Sequence, residues 1–388
     1  MGQSRSSDQV AFLKKDRINT RLATRKDVDA LTKLEDICFD GDRISRRSFK
    51  HFLEKGNCSL VVATRQTAVP GETETIVGYA LTLYHRGTEL ARLYSLAVLP
   101  DQRGGGIARI LMQESEKLAR EKGCVSIRLE VRPDNVAAIQ FYESIEFRLF
   151  AKHLDYYEDH ADALRYEKRI IKRHTKPIVD VPYYQQTTDF TCGPASLMMA
   201  MKAFDPDVVM GRSLEYQLWR EATTIHMTSG HGGCSAQGLA LAAAKRGYRV
   251  ELYVSHREAF FLDGVRDPKK KVVMQVVHDD FMIQLHDHHV TIHYEELTVG
   301  TLDTILQNGG VPILLISCYR FTREKTPHWV VVNHNEPSFF YIHDPDDPDE
   351  YEKNSTDQMN IPVSRSAFER ISRFGKQKQR AAVIIYRS

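Results

Sequence analysis

A cysteine at the start of a predicted helix is the residue best suited to covalent chemistry in this sequence. Cys192 lies in the stretch YYQQTTDFTCGPASLMMAM, where Pro194 suits a first helical turn. The apolar residues that continue this helix are Leu197, Met198 and Met201. A thiol at a helix N-terminus ionises more readily, and the thiolate is the nucleophilic form. We therefore predict that Cys192 is a nucleophile, with an inert buried cysteine as the alternative.

A cysteine nucleophile needs a base, and one histidine and one aspartate are spaced to supply it. His328 precedes the predicted strand 329–332, and Asp344 follows the predicted strand 339–343. A hairpin turn centred on Glu336 would place the two residues opposite each other, with Cβ atoms about 5 Å apart. In that arrangement the carboxylate orients the imidazole, as in a catalytic triad.

Gln186 precedes Cys192 by six residues, so its amide and the Cys192 backbone N–H are candidate donors to an oxyanion. The motifs Q-x5-C-G-P-A-S, P-H-W-V-V-V and Y-I-H-D-P resemble those of the bacteriocin-leader peptidases, which are papain-like cysteine peptidases. The resemblance covers residues 177–386 and implies four catalytic residues, Cys192, His328, Asp344 and Gln186. That family often has Asp where this chain has Thr191, so an inactive peptide-binding domain stays an alternative.

A glycine-rich turn between a predicted strand and a predicted helix is the second place where the sequence indicates chemistry. The strand covers 90–99, and the helix begins near Ile107. Free backbone N–H groups and the positive end of the helix dipole make such a turn an anion site. Gly106 and Ala108 are small enough for phosphate oxygens to approach the backbone. An ordinary structural turn is the alternative.

The pattern R-x-x-G-x-A at this turn resembles the acetyl-CoA pyrophosphate loop of the GNAT N-acetyltransferases. The stretch LEVRPDNVAAIQFYESIEF resembles the second half of their core, most closely in the ribosomal-protein-alanine type. The resemblance covers residues 17–171 and implies acetyl-CoA as cofactor and an amine as acceptor. The cofactor-binding residues that it implies are Leu96, Val98, Arg103, Gly104, Gly105, Gly106, Ile107, Ala108 and Asn135. One departure is Glu146-Phe147, where the family usually has Gly-Phe.

The same resemblance implies which residues move protons during acetyl transfer. Glu130 would accept the proton of the amine, directly or through water, and Tyr142 would protonate the leaving sulfur. Ordinary roles stay open for both, a solvent-facing strand carboxylate for Glu130 and a core aromatic beside Phe141 for Tyr142. Asn135 also suits a helix N-cap. Two aromatic residues that either line the acceptor site or pack on a strand are Tyr156 and Tyr157.

The order of predicted elements agrees with two mixed domains. In the first half, strand, helix, helix, strand and strand precede the glycine turn, at 18–22, 27–39, 45–53, 60–64 and 76–84. A strand at 127–131, a helix at 136–144 and a closing hairpin over 153–170 follow. The second half has helices after Cys192 and before Arg246, a central strand at 312–317 and a last core strand, AAVIIY. The predicted fold class is α+β (mixed α/β), a GNAT fold followed by a papain-like cysteine peptidase fold.

Length and composition restrict the class of protein. A chain of 388 residues suits two domains. We predict a flexible arm at 1–16, an acetyltransferase domain at 17–171, a linker at 172–181 and a peptidase-like domain at 182–388. A net charge of +2 argues against a large nucleic-acid interface, and no apolar run suits a signal peptide or a membrane span. Six cysteines without a C-x-x-C pair fit a reducing cytosol.

Three further features receive ordinary interpretations. The histidines within 278–293 fit no common metal motif, so we expect an exposed hairpin there and no metal site. The acidic stretch DPDDPDEYE lacks the order of an EF-hand and is predicted to be a solvated loop. Cys234 is a candidate second thiol without a visible base.

These observations predict a cytoplasmic bifunctional enzyme. One half would acetylate a peptide or protein amine with acetyl-CoA, and the other would be a cysteine peptidase that processes the same peptide. The expected partner is a peptide or protein substrate, with no nucleic acid and no membrane, and the oligomeric state stays open. The alternatives are an acetyltransferase with a non-catalytic peptide-binding domain and an acetyltransferase of small-molecule amines.

Overall fold

The structure is a computed structural model that describes residues 17–39, 41–66, 74–85, 87–157, 159–171, 176–223, 232–259, 265, 267–317, 326–346, 358–374 and 378–387. The chain forms two compact units. The first consists of the described residues up to Tyr84 together with Ala91–Ile170. The second consists of His85–Leu90 and the described residues from Ile171 onward. Within these ranges, no helix combines the length and the apolar character that a membrane crossing requires.

The described part of the first unit contains a sheet of seven strands and four α-helices. Its strands are β1 (Arg17–Leu22), β2 (Cys58–Gln66), β3 (Thr75–Tyr84), β4 (Leu90–Val98), β5 (Ser126–Val131), β6 (Arg148–His153) and β7 (Ala163–Arg169). They lie in the order β1-β2-β3-β4-β5-β7-β6. Its helices are α1 (Val28–Cys38), α2 (Arg46–Lys55), α3 (Ile107–Glu121) and α4 (Val136–Ser144). The predicted order of strands and helices is confirmed.

The spacing of Val28, Leu31, Leu34 and Ile37 predicts that these four residues form one apolar side of helix α1. Val28, Leu31 and Leu34 are buried as predicted, but Ile37 is 59% exposed. Steps of three residues fall short of a helical turn of 3.6 residues, so the face rotates by about 60° at each step. By Ile37 the side chain points to the opposite side of the helix, and its assignment to the buried face was wrong.

The second unit is built on another sheet of seven strands. The strands are β8 (Arg249–Val254), β9 (Thr291–His293), β10 (Val311–Ser317), β11 (Pro327–Asn335), β12 (Phe339–His343), β13 (Ile361–Ser364) and β14 (Ala381–Tyr386). They lie in the order β13-β12-β11-β10-β14-β8-β9. The helices are α5 (Cys192–Phe204), α6 (Arg212–Ala222), α7 (Ala236–Ala244), α8 (Pro268–Asp287), α9 (Val299–Gln307) and α10 (Arg365–Ile371).

The most apolar elements of the second unit form its centre. Strand β14 is buried along its whole length, as the run AAVIIY predicts for a core strand. Helices α5 and α7 are buried on all sides over most of their length, which is expected for helices that are apolar all round. Because Cys192 is the first residue of α5, its backbone is fixed by the core of the unit.

The histidine-rich segment was predicted wrongly as a hairpin and is mainly helix α8. Its buried residues are Met274, His278, Phe281 and Leu285, whose spacing of three and four is that of an amphipathic helix. The prediction followed the histidines instead of this apolar period. No group of three metal-ligating side chains comes together in the described ranges. Most of the acidic stretch, at 347–352, and Cys318 lie outside the described residues.

Candidate active sites

Cys192 lies where α5 meets the start of β11. The residue is 7% exposed. Gly193 fits so closely there that a Cβ on it would lie 3.2 Å from Trp329 Cδ1. One turn further, the Ser196 hydroxyl donates to the Trp329 carbonyl oxygen at 3.1 Å. Because His328 precedes Trp329 in β11, these contacts bring Cys192 to the strand that carries the predicted base.

The His328 imidazole and the Asp344 carboxylate form a buried hydrogen bond. His328 Nε2 lies 2.6 Å from Asp344 Oδ1, and each side chain is 8% exposed. The backbone N–H of Asp346 also donates to Asp344 Oδ1, at 3.0 Å. Since the carboxylate holds the ring at Nε2, Nδ1 is the nitrogen on the other side of the ring that is positioned for proton exchange.

The register behind this contact differs from the predicted one. Val331 pairs with His343, and continuing that register places Asp344 beside Val330 rather than opposite His328. Asn335 pairs with Phe340, so the hairpin is centred between Pro337 and Ser338 and not on Glu336, and the irregularity between Val332 and His334 shifts the register by only one residue. The predicted direct opposition was wrong, and the two side chains meet diagonally, within the reach of diagonal neighbours on one face.

Gln186 lies beside the loop that carries Asp344. Its side chain is buried at 3% exposure, and its backbone N–H donates to the Pro345 carbonyl oxygen at 2.7 Å. Its Nε2 donates to Asp346 Oδ1 at 3.2 Å. The amide predicted as an oxyanion donor therefore has an anionic partner in this structure, the Asp346 carboxylate.

Cys234 is a close neighbour of the candidate nucleophile. A Cβ on Gly193 would lie 3.2 Å from Cys234 Cβ. Burial raises the pKa of Cys234 well above its usual range, and the Cys192 thiol adds to the effect. Cys234 therefore stays protonated, which argues against a second nucleophile.

A cavity of about 520 Å³ lies elsewhere in the second unit. It is lined by the far end of β11, including Asn333, and by Asp303 and Arg365. The residues that line it do not include Cys192 or His328. The cavity is therefore not the site that the sequence predicts.

The glycine turn of the first unit joins β4 to α3. Leu96 and Val98 lie in β4, and Arg103 Nε donates to the Val98 carbonyl oxygen at 3.1 Å. Gly104 and Gly106 both have φ of 82°, a left-handed conformation that favours glycine. No atom lies within 4 Å of a Cβ built on either one, so the turn leaves open space above its backbone. The remaining predicted turn residues, Gly105, Ile107 and Ala108, lie between and after them, with Ile107 opening α3.

We predict that Gly106→Ala weakens acetyl-CoA binding about tenfold, whereas Gly105→Ala has little effect. A left-handed conformation costs a residue with a Cβ about 1–2 kcal/mol, so the turn must relax and move its N–H groups. Gly105 lacks this conformation, and a Cβ there would make only an ordinary contact, 3.5 Å from the Gln102 oxygen. Isothermal titration of both full-length variants with acetyl-CoA measures the difference. Equal affinities would contradict the prediction.

Glu130 lies in a buried cluster of charged side chains. Its carboxylate accepts from Arg92 Nε at 2.8 Å and from Arg165 Nε at 2.9 Å. The Glu130 side chain is 5% exposed, and those of Arg92 and Arg165 are 7% and 0% exposed. The alternative of a solvent-facing strand carboxylate is therefore wrong. Any proton that Glu130 accepts must come to a carboxylate already shared by two guanidinium groups.

Tyr142 and Asn135 occupy the two ends of α4. Tyr142 is 9% exposed and packs against Phe141 and Phe147, with ring centroids 5.4 and 5.7 Å away. Burial raises the pKa of Tyr142 well above its usual range, so the phenol stays protonated. Asn135 Oδ1 accepts from the Ala138 N–H at 3.1 Å, which is the predicted N-cap.

The two tyrosines near the predicted acceptor site lie beside arginines. The Tyr156 hydroxyl accepts from Arg92 Nη2 at 2.7 Å, so Tyr156 connects to the Glu130 cluster. The Arg132 guanidinium lies over the Tyr157 ring at 4.7 Å from its centroid. The two tyrosine rings meet edge to face at 4.8 Å.

Several residues at these sites were missed by the sequence analysis. Arg128 carried a signal, because Arg128 and Glu130 alternate with Ile127 and Leu129 and so share one face of β5. Glu215 carried one as well, since it falls on the same face of α6 as Leu218 and Ala222. No spacing in the sequence predicts that Asp346 is the partner of Gln186.

The fold and sites define a chain with an acetyltransferase domain and a thiol-containing peptidase-like domain, and two family matches agree. Residues 181–386 match the model described as the Peptidase_C39 like family, which is more than half of the chain, so the chain belongs to that family. Residues 28–147 match the acetyltransferase (GNAT) family. The predicted combination of the two families is confirmed.

Curated relatives match only part of the first half. N-alpha-acetyltransferase 30 of Schizosaccharomyces pombe is 40% identical over 83 residues, which is 21% of this chain and 55% of that protein. An acetyltransferase of Yersinia pestis is 40% identical over 75 residues, 19% of this chain and 50% of that protein. The chain thus spans about half the length of these relatives.

Two solved structures are similar to part of the chain. The ribosomal-protein-S18-alanine N-acetyltransferase from Escherichia coli is 22% identical, with a TM-score of 0.35, covering 41% of this chain and 97% of that one. An N-acetyltransferase from Staphylococcus aureus is 18% identical, with a TM-score of 0.34, covering 40% and 99%.

The GNAT match supports acetyl-CoA as the cofactor, and the residues at the turn fit it. The two left-handed glycines leave space above the backbone, and α3 directs its N-terminal N–H groups toward that space. An anionic pyrophosphate suits such a position. The first unit therefore carries a turn suited to the predicted cofactor.

Proposed function

We propose that this chain is a bifunctional enzyme, an acetyl-CoA-dependent N-acetyltransferase joined to a cysteine peptidase. The observation that carries the second activity is the buried hydrogen bond of 2.6 Å between His328 Nε2 and Asp344 Oδ1, next to the helix that opens with Cys192. The glycine turn and the GNAT match support the first activity.

In the proposed hydrolysis, Cys192 Sγ attacks the peptide carbonyl carbon and gives its proton to His328 Nδ1. Asp344 keeps the ring in place and stabilises its positive charge. The carbonyl oxygen becomes an oxyanion that accepts from the Cys192 N–H and from Gln186, once Gln186 Nε2 turns from Asp346. His328 returns the proton to the leaving amine, and water then releases the acyl group from sulfur.

In the proposed acetyl transfer, the turn from Arg103 to Ala108 holds the pyrophosphate of acetyl-CoA, which supplies a thioester carbonyl. Glu130 receives the proton of the acceptor amine, directly or through water, with Arg92 and Arg165 holding its carboxylate. Tyr142 is the protonated group that would supply a proton to the leaving sulfur.

The presence of both domains in one chain supports sequential use of one peptide. Hydrolysis of a peptide bond releases a new N-terminal amine, and an amine is what an N-acetyltransferase consumes. We propose that the peptidase half produces an N-terminus that the acetyltransferase half acetylates. A peptide or protein is then the substrate of both halves.

We predict that cells with Cys192→Ala lose specific protein N-termini that cells with the unaltered chain contain. Comparison of N-terminal peptides by mass spectrometry measures this loss, and acetylation of the lost N-termini tests the sequence of steps. The variant Gly106→Ala serves as a control, in which the same N-termini are expected with reduced acetylation. Cleavage products that are never acetylated would overturn sequential use, and an unchanged set of N-termini would overturn the peptidase.

The Gln186 geometry favours one second candidate, a non-catalytic peptide-binding domain. Its Nε2 donates to Asp346, and an amide so engaged does not serve an oxyanion. In this alternative, Cys192 reacts with iodoacetamide no faster than an ordinary thiol, and His328→Ala leaves that rate unchanged.

A further inference from the structure

Glu215 is a buried carboxylate for which the proposed hydrolysis has no direct use. It lies in the first turn of α6 and is 0% exposed. The other buried residues of that helix are apolar, Leu218 and Ala222. An ionised carboxylate in such surroundings is costly unless hydrogen bonds replace its water.

The donors to Glu215 all come from one short segment. The Thr187 backbone N–H donates to Oε1 at 2.8 Å, and the Thr187 hydroxyl donates to Oε2 at 2.8 Å. The Thr191 hydroxyl donates to Oε1 at 2.5 Å, and the Tyr184 hydroxyl donates to Oε2 at 3.0 Å. A carboxylate accepts hydrogen bonds at about four positions and donates none, so the donors of this segment fill its acceptor positions.

The segment held by Glu215 contains both proposed oxyanion donors. Thr187 follows Gln186 in the chain, and Thr191 precedes Cys192. Oε1 thus connects the Thr187 backbone N–H, next to Gln186, with the Thr191 side chain, next to Cys192. Together with the contacts of Gln186 to Pro345 and Asp346, Glu215 helps to set the distance between the Gln186 amide and the Cys192 N–H, and an oxyanion site depends on such fixed donor positions.

We propose that Glu215 is a positioning residue that sets the geometry of the oxyanion site formed by Gln186 and Cys192. The inference rests on the proposed peptidase function. It assigns Glu215 no contact with substrate, since Glu215 acts through Thr187 and Thr191.

Two probes of Cys192 separate positioning from general damage. Iodoacetamide is attacked at carbon by sulfur with loss of iodide, and no oxyanion forms. With p-nitrophenyl acetate, sulfur bonds to the acetyl carbon through an oxyanion, p-nitrophenolate leaves, and the thiol proton goes to His328. A defect confined to the oxyanion site slows the second reaction and spares the first.

In the full chain, Glu215→Gln is expected to slow Cys192 acylation by p-nitrophenyl acetate on the order of 10²-fold. The amide keeps one acceptor oxygen and replaces the other with an NH₂ group, so hydroxyls that donate to the lost oxygen must turn and accept instead, which moves the segment. Alkylation by iodoacetamide, with its pH profile, is expected to stay near that of the unaltered chain. The matched control is Glu221→Gln, the same change in the same helix, which breaks an ion pair with Arg246 and leaves both rates unchanged.

Other variants keep the test decisive if Glu215→Gln folds poorly. Thr191→Val removes one donor and is expected to reproduce the selective loss, whereas Thr191→Ser keeps the hydroxyl and most of the rate. Unchanged acylation, or an equal loss with both probes, would overturn the positioning role. If p-nitrophenyl acetate acylates Cys192→Ala as fast as the unaltered chain, the acylated residue is not Cys192. The proposed peptidase function then fails, and the role of Glu215 fails with it.

Discussion

His328→Ala is expected to lower Cys192-dependent peptide cleavage by about 10⁴-fold or more, because removal of one member of a catalytic triad has that effect. Alanine cannot accept the Cys192 proton, and it removes one donor from the Asp344 carboxylate. The reaction to measure is kcat on a peptide identified from the N-terminal comparison. Alkylation of Cys192 by iodoacetamide at neutral pH is expected to slow as well, since the imidazole no longer supports the thiolate.

The matched control for this variant is His334→Ala. His334 lies in the same strand, is 4% exposed and has a carboxylate nearby, with its Nε2 4.0 Å from Glu336 Oε1. It is outside the proposed machinery, so cleavage is expected to persist. Acetyl transfer is expected to be normal in both variants. Equal losses of cleavage would show that cleavage follows the stability of β11 and not the chemistry of His328.

Glu130→Gln is expected to destabilise the first unit by about 3–5 kcal/mol. Removal of one partner from a buried ion pair leaves an uncompensated buried charge, and here Arg92 and Arg165 both lose their shared carboxylate. Hydrogen exchange of β5 and β7 peptides across a denaturant series reports the stability of this unit within the full chain. Acetyl transfer is expected to fall in conditions where the unit is still folded, because Glu130 is also the proposed base.

A neighbouring variant provides the comparison for Glu130. Glu167→Gln changes a carboxylate in β7 that is 21% exposed and lies 3.4 Å from Arg128. Its cost is expected to be smaller than that of Glu130→Gln, since water reaches the Glu167 carboxylate and one guanidinium loses its partner, that of Arg128, where Glu130→Gln affects two. Adding Arg165→Met to Glu130→Gln is expected to restore part of the lost stability. Normal stability with lost acetyl transfer would contradict the structural role and leave Glu130 as a base alone.

Local patterns predicted the elements well where one period dominated. The run from β4 through the glycine turn to α3 was correct because a strand, a break and an amphipathic helix each have a distinct residue pattern. The same reasoning failed at α8, where the histidines drew attention from the apolar period of Met274 and Leu285. It also failed at the hairpin of β11 and β12, because the turn is centred between Pro337 and Ser338 and not on Glu336.

The sequence indicates which residues form the candidate sites, but not which side chains contact them. Glu130 and Gln186 were identified by motif and position. Their partners Arg165 and Asp346 lie far away in the chain, and only the fold brings them together. Glu215 is the clearest example. Its position on the apolar face of α6 predicts a buried carboxylate that accepts hydrogen bonds, but the sequence does not indicate which groups donate them.

The position of strand β14 in its sheet affects how the second half folds during translation. It lies between β10 and β8, both of which precede it in the chain, and all six of its residues are buried. The ribosome makes β8 and β10 first, so both have open, apolar edges until residues 381–386 emerge. The first half has no such dependence, because its last strand ends at Arg169. The acetyltransferase half can therefore fold during translation, while the nascent peptidase-like half is exposed to aggregation until its final strand arrives.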